Sequence, residues 1–168
     1  MRNTFLALVL SFMSLTAIQA QNFGYMNSSA FVAELPEVKS ASSTLESLEK
    51  SKTQVIQNMA KKLQEKATAL EQKKQAGTVS PKAYDSQMKN FEAEQQKIVE
   101  LQKSGVTELE NKRKELFDPI LKKVNDAIQA VAKEKSLNYV FDTSTGILLY
   151  AEEALDVTEA VKAKYSAM

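Results

Sequence analysis

The sequence predicts an α+β fold that is predominantly helical: a long antiparallel α-hairpin, a coiled-coil-like arm, protruding from a small β-containing oligomerisation body. Three observations predict it. A polar stretch poor in Gly and Pro runs from about Pro36 to about Lys135 and has one strong break, Gly77-Thr78-Val79-Ser80-Pro81. Short β-type segments flank it on both sides. The aromatics also divide the chain. From Glu37 to Glu115 there are only Tyr84 and Phe91, whereas the flanks hold Phe23, Tyr25, Phe31, Phe117, Tyr139, Phe141, Tyr150 and Tyr165. Aromatic side chains dominate cores and interfaces, so the hydrophobic core is expected in the flanks.

The elements follow in chain order. Arg2, the apolar run Phe5 to Leu15 and the small or tolerated residues up to Ala20 read as a secretory leader over residues 1–20, cut after about Ala20. Its apolar run of about eleven residues is too short to span a bilayer, which needs about twenty. Phe23-Gly24-Tyr25-Met26 alternates like an edge strand. Asn27, Ser28 and Ser29 are cap residues for a short helix over Ala30 to Leu35, with Phe31, Val32 and Leu35 on one face, and Pro36 interrupts or restarts it.

From Glu37 to Gln75, apolar residues at Leu45, Leu48, Val55, Met59, Leu63, Ala67 and Leu70 recur at helical spacing, with a stutter between Val55 and Ala67. Gly77 suits a left-handed C′ position, Ser80 can cap the next helix and Pro81 fits its first turn. The return arm carries Tyr84, Met88, Phe91, Ile98, Leu109 and Leu116, and Gln95, Gln102 and Gly105 dilute its middle. Asp85 with Lys89, Glu108 with Lys112 and Glu110 with Lys114 are i,i+4 pairs. Each arm should measure roughly 60 Å. Pro119 interrupts a period that continues through Val124, Ile128 and Val131, which reads as a kink rather than an end, either a static one or a hinge. Leu137 to Phe141 reads as a strand with Tyr139 and Phe141 on one face, Asp142 to Gly146 as a turn, and Ile147 to Tyr150 as the second strand of a hairpin. Asp156 with Glu159 resembles a capping box for a last helix holding Val157, Ala160, Val161 and Tyr165. The resulting domains are residues 1–20, leader; 21–36 with 117–168, body; and 37–116, arm, with its tip at 76–81.

Composition narrows the chemistry. The 168-residue chain has no Cys and no His, which removes disulfides, thiol nucleophiles, imidazole catalysis and Cys/His zinc sites. No nucleophile–base constellation or phosphate-binding loop is visible, so neither an enzyme nor a metal or cofactor site is expected. The net charge of +1 includes Arg2, so the chain beyond residue 20 is neutral. Charge is nevertheless uneven. Lys50, Lys52, Lys61, Lys62, Lys66, Lys73, Lys74 and Lys82 face only Glu65 and Glu71 on that stretch, while Asp142 to Glu159 is acidic and has no lysine. Such a lysine-rich helix is either a solvated face or a surface for an acidic partner. Nucleic-acid binding is not expected of an exported, neutral chain. A body of roughly 70 residues with short strands is marginal alone, which points to self-association.

The ordered set of segments resembles the Skp (OmpH-like) periplasmic chaperones over essentially the whole chain beyond the leader. The likeness lies in Phe23-Gly24-Tyr25-Met26-Asn27, in Pro36-Glu37-Val38, and in Ile128 to Lys135 running into Leu137-Asn138-Tyr139-Val140-Phe141-Asp142, followed by Ile147 to Ala151 and Asp156-Val157-Thr158. The resemblance implies a periplasmic homotrimer that holds unfolded outer-membrane β-barrel proteins, without ATP or any cofactor, in a cavity between its arms. Family members are often markedly basic and this chain is neutral, which leaves membrane or lipopolysaccharide contact an open question. Client contact would fall on Met59, Leu63, Leu70, Met88 and Phe91, with Lys61, Lys62, Lys66, Lys73 and Lys74 beside them; the simpler role of the apolar residues is to pack arm on arm. Phe23, Tyr25, Tyr139, Phe141, Ile147 and Leu149 would form the body's core and interface, and Pro119 the hinge. The alternative is a structural or adaptor coiled-coil protein of the cell envelope, for which thick heptads would be needed.

Overall fold

A computed structural model describes residues 21–168; the expected leader lies outside the described residues. The element order is β1 (Phe23–Met26), α1 (Ser28–Glu34), α2 (Pro36–Gln75), α3 (Pro81–Glu134), β2 (Tyr139–Asp142) and α4 (Thr158–Ser166), with 3-10 turns at Thr143–Thr145 and Glu153–Leu155. Two compact units result, one of residues 29–125 and one of residues 21–28 with 126–168.

In the first unit, Pro36 restarts the helix. Leu35 is extended (φ −62°, ψ 129°), as a residue before proline prefers, and Pro36 opens α2 where its missing N–H costs nothing. At the far end Gly77 takes φ +67°. Thr78 N–H reaches the Lys73 carbonyl at 3.0 Å and Gly77 N–H the Lys74 carbonyl at 3.1 Å, the paired bonds of a Schellman stop. Ser80 Oγ accepts from Ala83 N–H at 3.3 Å, and α3 begins at Pro81. The tip is the turn that the residues demand. α3 continues as helix through Pro119 for 54 residues; the ring removes one hydrogen bond there, to the Glu115 carbonyl.

The seam of α2 differs from the expected one. Val55 is exposed, and the half-buried neighbour is Ile56. From Ala41 onward the inward positions are Ala41, Leu45, Leu48, Lys52, Ile56, Met59, Leu63, Ala67 and Leu70, three sets spaced eleven apart. An eleven-residue repeat, about 3.67 residues per turn, stays close to the straight helix's 3.6, so a seam holds its side without the supercoil that heptads impose. What reads as a stutter is this longer period, and it places a lysine in the seam.

In the second unit, β1 and β2 pair in parallel, with Phe23 opposite Tyr139 and Tyr25 opposite Phe141. Asn22 and Asn138 fasten the start of the ladder: Asn22 N–H donates to Asn138 Oδ1 at 2.9 Å and Asn138 N–H to the Asn22 carbonyl at 2.8 Å. The core lies on one face, built from Met26, Ala127, Val131, Val157, Val161 and Tyr165. α3 ends in a second Schellman stop with Ser136 at φ 53° in the place that glycine usually takes; Leu137 N–H bonds the Ala132 carbonyl at 2.8 Å.

Two expectations about this unit fail. Ile147 to Tyr150 is no strand, and there is no hairpin. The turn after β2 is as expected in chemistry, with Asp142 Oδ1 accepting from Ser144 N–H at 3.0 Å and Gly146 left-handed at φ +69°. Beyond it, no backbone hydrogen bond joins residues 147–151 to a strand among the described residues. The segment is apolar at every position, so as a strand it would need cover on both faces, and this small unit does not provide it. The capping box is also incomplete. Asp156 Oδ1 accepts from Thr158 N–H at 2.8 Å, but Glu159 turns to Lys162 at 3.2 Å.

Gly24 marks the tightest packing of the sheet. A Cβ there would stand 2.8 Å from Leu137 Cδ1 and 3.0 Å from Val157 Cγ1. Gly24→Ala should therefore lower stability by about 1 to 3 kcal/mol through overpacking, measured by urea unfolding. An unchanged midpoint would mean that the sheet can slide away from α4 freely.

Candidate functional site

Two surfaces stand out: a groove on the helical arm and an aromatic face on the sheet. Each is built within one unit.

On the arm, α2 and α3 run antiparallel with a thin seam. Leu63, Leu70 and Ile98 are buried, and polar links bridge the helices between them. Lys52 Nζ lies 2.5 Å from Glu108, and Lys66 Nζ bonds both Glu94 oxygens at 2.7 and 2.9 Å. Near the tip, Tyr84 O–H donates to Glu71 at 3.2 Å while the Lys74 amine sits 4.1 Å over the Tyr84 ring. The expected i,i+4 partnership of Glu108 with Lys112 is replaced: Glu108 crosses to α2, and Lys112 takes Glu115 at 2.7 Å. Lys52's stem lies across Gly105, whose missing side chain leaves the room; a Cβ there would meet Lys52 Cδ at 3.5 Å.

Between these links the arm opens into a groove of about 550 Å³ lined by Ala60, Leu63, Gln64, Ala67, Met88, Phe91, Glu92, Gln95 and Gln96. Ala60 and Ala67 lie two turns apart on α2, facing the groove from the side opposite Met88 and Phe91, and their short side chains leave it unfilled. Of the residues singled out by sequence, it gathers Leu63, Met88 and Phe91. Leu70 is buried in the seam, and Met59 is half-buried outside the groove. The lysines do not line it: Lys66 is tied to Glu94, Lys61 stands 4.0 Å from Glu65, Lys74 is stacked on Tyr84, and Lys62 and Lys73 are exposed. Sequence reading missed Ala60, Gln64, Gln95 and Gln96. The signal for the first was the pair of alanines seven residues apart.

On the sheet, the six residues expected in core and interface are not in the core. Phe23, Tyr139 and Phe141 stack on the solvent face, with ring centroids 5.8 to 6.3 Å apart, and Tyr25 is half-buried. Ile147, Leu149 and Tyr150 are 82, 96 and 80 % exposed. Beside them is an apolar groove of about 490 Å³ lined by Phe23, Gly24, Tyr25, Phe141, Leu148, Tyr150, Ala151, Glu152 and Leu155. Burial raises the Tyr25 phenol above its ordinary value, and Asp156 and Glu153 add to the shift, so the hydroxyl stays a donor. Burial opposes ionisation of Asp142, but hydrogen bonds from the Ser28 hydroxyl, Ser144 N–H and Ser28 N–H outweigh it and hold the carboxyl down to about 2. That carboxylate ties the end of β2 to Ser28.

Among the described residues no group of three His, Cys, Asp or Glu side chains could hold a metal, and no helix is long and apolar enough to cross a membrane. What the two surfaces offer is apolar contact.

A family model for outer membrane proteins of the OmpH-like type matches residues 22–165. Among solved structures, an assigned OmpH-like outer membrane chaperone from Caulobacter crescentus CB15 superposes with a TM-score of 0.75 at 20 % identity, covering 88 % of this chain and 85 % of that one. At that identity the likeness speaks for the fold. The comparison with curated proteins returns no match.

Two measurements follow from these contacts. Gly105→Ala should raise stability by about 0.5 to 1 kcal/mol, because it removes the helix penalty of glycine at the cost of one ordinary contact with a flexible stem; a lowered urea midpoint would show that Lys52 cannot yield. Asp142→Asn should destabilise the protein at neutral pH. The folded-state value lies below the ordinary 3.8, so the carboxylate's contribution is present above that value and lost as pH falls through about 2. The difference between wild type and variant should shrink over that window, and a constant difference would mean that charge has no part in it.

Proposed function

The chain belongs to the OmpH-like family of outer membrane proteins, and from that premise we propose that it is an ATP-independent periplasmic holdase, one that binds unfolded outer-membrane β-barrel proteins between its helical arms and prevents their aggregation. The arm groove carries the reading. A barrel strand alternates apolar and polar residues and has no folded core until it reaches lipid. Holding it requires shallow, adaptable apolar contacts rather than one deep pocket. Met88 and Phe91 beside Ala60 and Ala67, with Gln64, Gln95 and Gln96 able to bond a client's backbone, supply contacts of that kind. Methionine adapts its shape to varied partners. Exposed lysines such as Lys62 and Lys73 add attraction for acidic clients.

The sheet's solvent face supports assembly. Stacked Phe23, Tyr139 and Phe141, with Ile147 and Leu149 in water, are costly to leave uncovered. Self-association through this face as a homotrimer gives the arms a common cavity. Residues 1–20 act as the leader that brings the chain to the periplasm, and Pro119 is the point about which each arm adjusts its angle. In this reading the body extends over residues 21–36 and 117–168 and the arm over 37–116, a division by role that differs from the compact units 21–28 with 126–168 and 29–125.

The test is dilution of a urea-unfolded outer-membrane barrel protein into buffer with and without residues 21–168, followed by light scattering. Aggregation should be suppressed without ATP and should saturate near one client per trimer. Unchanged scattering at excess protein would sink the holdase reading and favour an adaptor role. In sedimentation, Leu149→Asp should convert trimer to smaller species; a trimer that persists would place the interface elsewhere.

A further inference from the structure

We propose that Met88 is an oxidation-sensitive control point: conversion of its thioether to the sulfoxide by a peroxide turns down client holding. The inference rests on the holdase reading above and deepens it at the same groove. The chain has no Cys, no His and no Trp, so methionine sulfur is its softest, most readily oxidised side chain. The four methionines of the described residues differ in access. Met26 is 1 % exposed in the core and Met59 is half-buried in the seam, whereas Met88 and Met168 are 37 and 58 % exposed. Met168 lies beyond α4 and does not line the arm groove. Met88 lines the arm groove with Leu63, Ala67 and Phe91. Of the two most exposed methionines among the described residues, therefore, one sits where clients are proposed to bind.

The chemistry balances with the peroxide alone. A sulfur lone pair attacks one peroxide oxygen, the O–O bond breaks, the sulfur–oxygen bond forms, and the other oxygen leaves as water after proton transfer. Sulfur loses two electrons and the peroxide gains them. The product is polar and chiral, so an apolar side chain of a client would meet a hydrated oxygen where it had met a polarizable sulfur.

The experiment treats residues 21–168 with hydrogen peroxide, removes the peroxide by desalting, locates the added oxygen by peptide mass spectrometry, and titrates the protein against a fluorescently labelled, urea-unfolded outer-membrane barrel protein. Oxidation should appear at Met88 and Met168 before Met26, and client affinity should fall about fivefold, the scale of a lost sulfur–aromatic contact. Met88→Leu, whatever its starting affinity, should keep that affinity after the same treatment. Met88→Gln should bind weakly without any treatment, with unchanged far-ultraviolet circular dichroism. Sulfoxide at Met88 with unchanged affinity would overturn the proposal. So would equal peroxide sensitivity in Met88→Leu, or a loss that tracks melting of the arm rather than the groove. Protein that holds no client before treatment would overturn this proposal together with the holdase reading, and the untreated titration reveals that case.

Discussion

Four residues of parallel strand hold the body together. β1 and β2 come from opposite ends of the described chain, and pairing Phe23 with Tyr139 closes a loop containing the entire arm. Closing so long a loop costs conformational entropy, but the cost grows only logarithmically with length, and a loop that is already a helical hairpin has fewer states to lose. Several contacts converge on this short ladder: the Asn22–Asn138 exchange at one end, the Asp142 carboxylate on Ser28 at the other, and the close approach at Gly24 in between. Tyr25 adds a third strand-like contact, its carbonyl accepting from Val157 N–H at 2.9 Å and so drawing in the start of α4.

The arm is built on a different balance. Its seam alternates buried aliphatic residues with Lys52, Glu94 and Gly105. Exposed ion pairs of this kind contribute little net stability, about 0 to 1 kcal/mol each, but they penalise wrong register, since a slip would set Lys52 and Lys66 away from their carboxylates. The seam thus fixes which residues face one another while leaving the helices lightly joined.

Legibility in the sequence followed the locality of each cause. The tip was readable because Gly77, Ser80 and Pro81 act within a few residues. So were the restart at Pro36, the helix through Pro119 and β1. The strand assigned to residues 147–150 failed because composition marks a segment as strand-like without saying whether an edge is available to it. Val55 was mistaken for a seam residue because a heptad and an eleven-residue period differ only after several turns. The aromatics of the sheet were legible as a group, but their exposure on one sheet face depends on which side α4 covers, a tertiary fact. The arm groove was half visible: large residues on α3 drew attention, and Ala60 opposite them did not.

The parallel ladder also orders events in time. A chain that leaves a ribosome or an export channel does so amino end first, so β1 emerges long before β2 exists to receive it. Antiparallel neighbours in a hairpin meet within moments, whereas here the whole of α2 and α3 must appear first. Until then Phe23 to Met26 is an unpaired strand with an apolar face, the kind of segment that invites wrong partners. The hairpin can zip from its own tip meanwhile, and by doing so it shortens the distance that the last pairing must search. The arm thus serves the assembly of its own body.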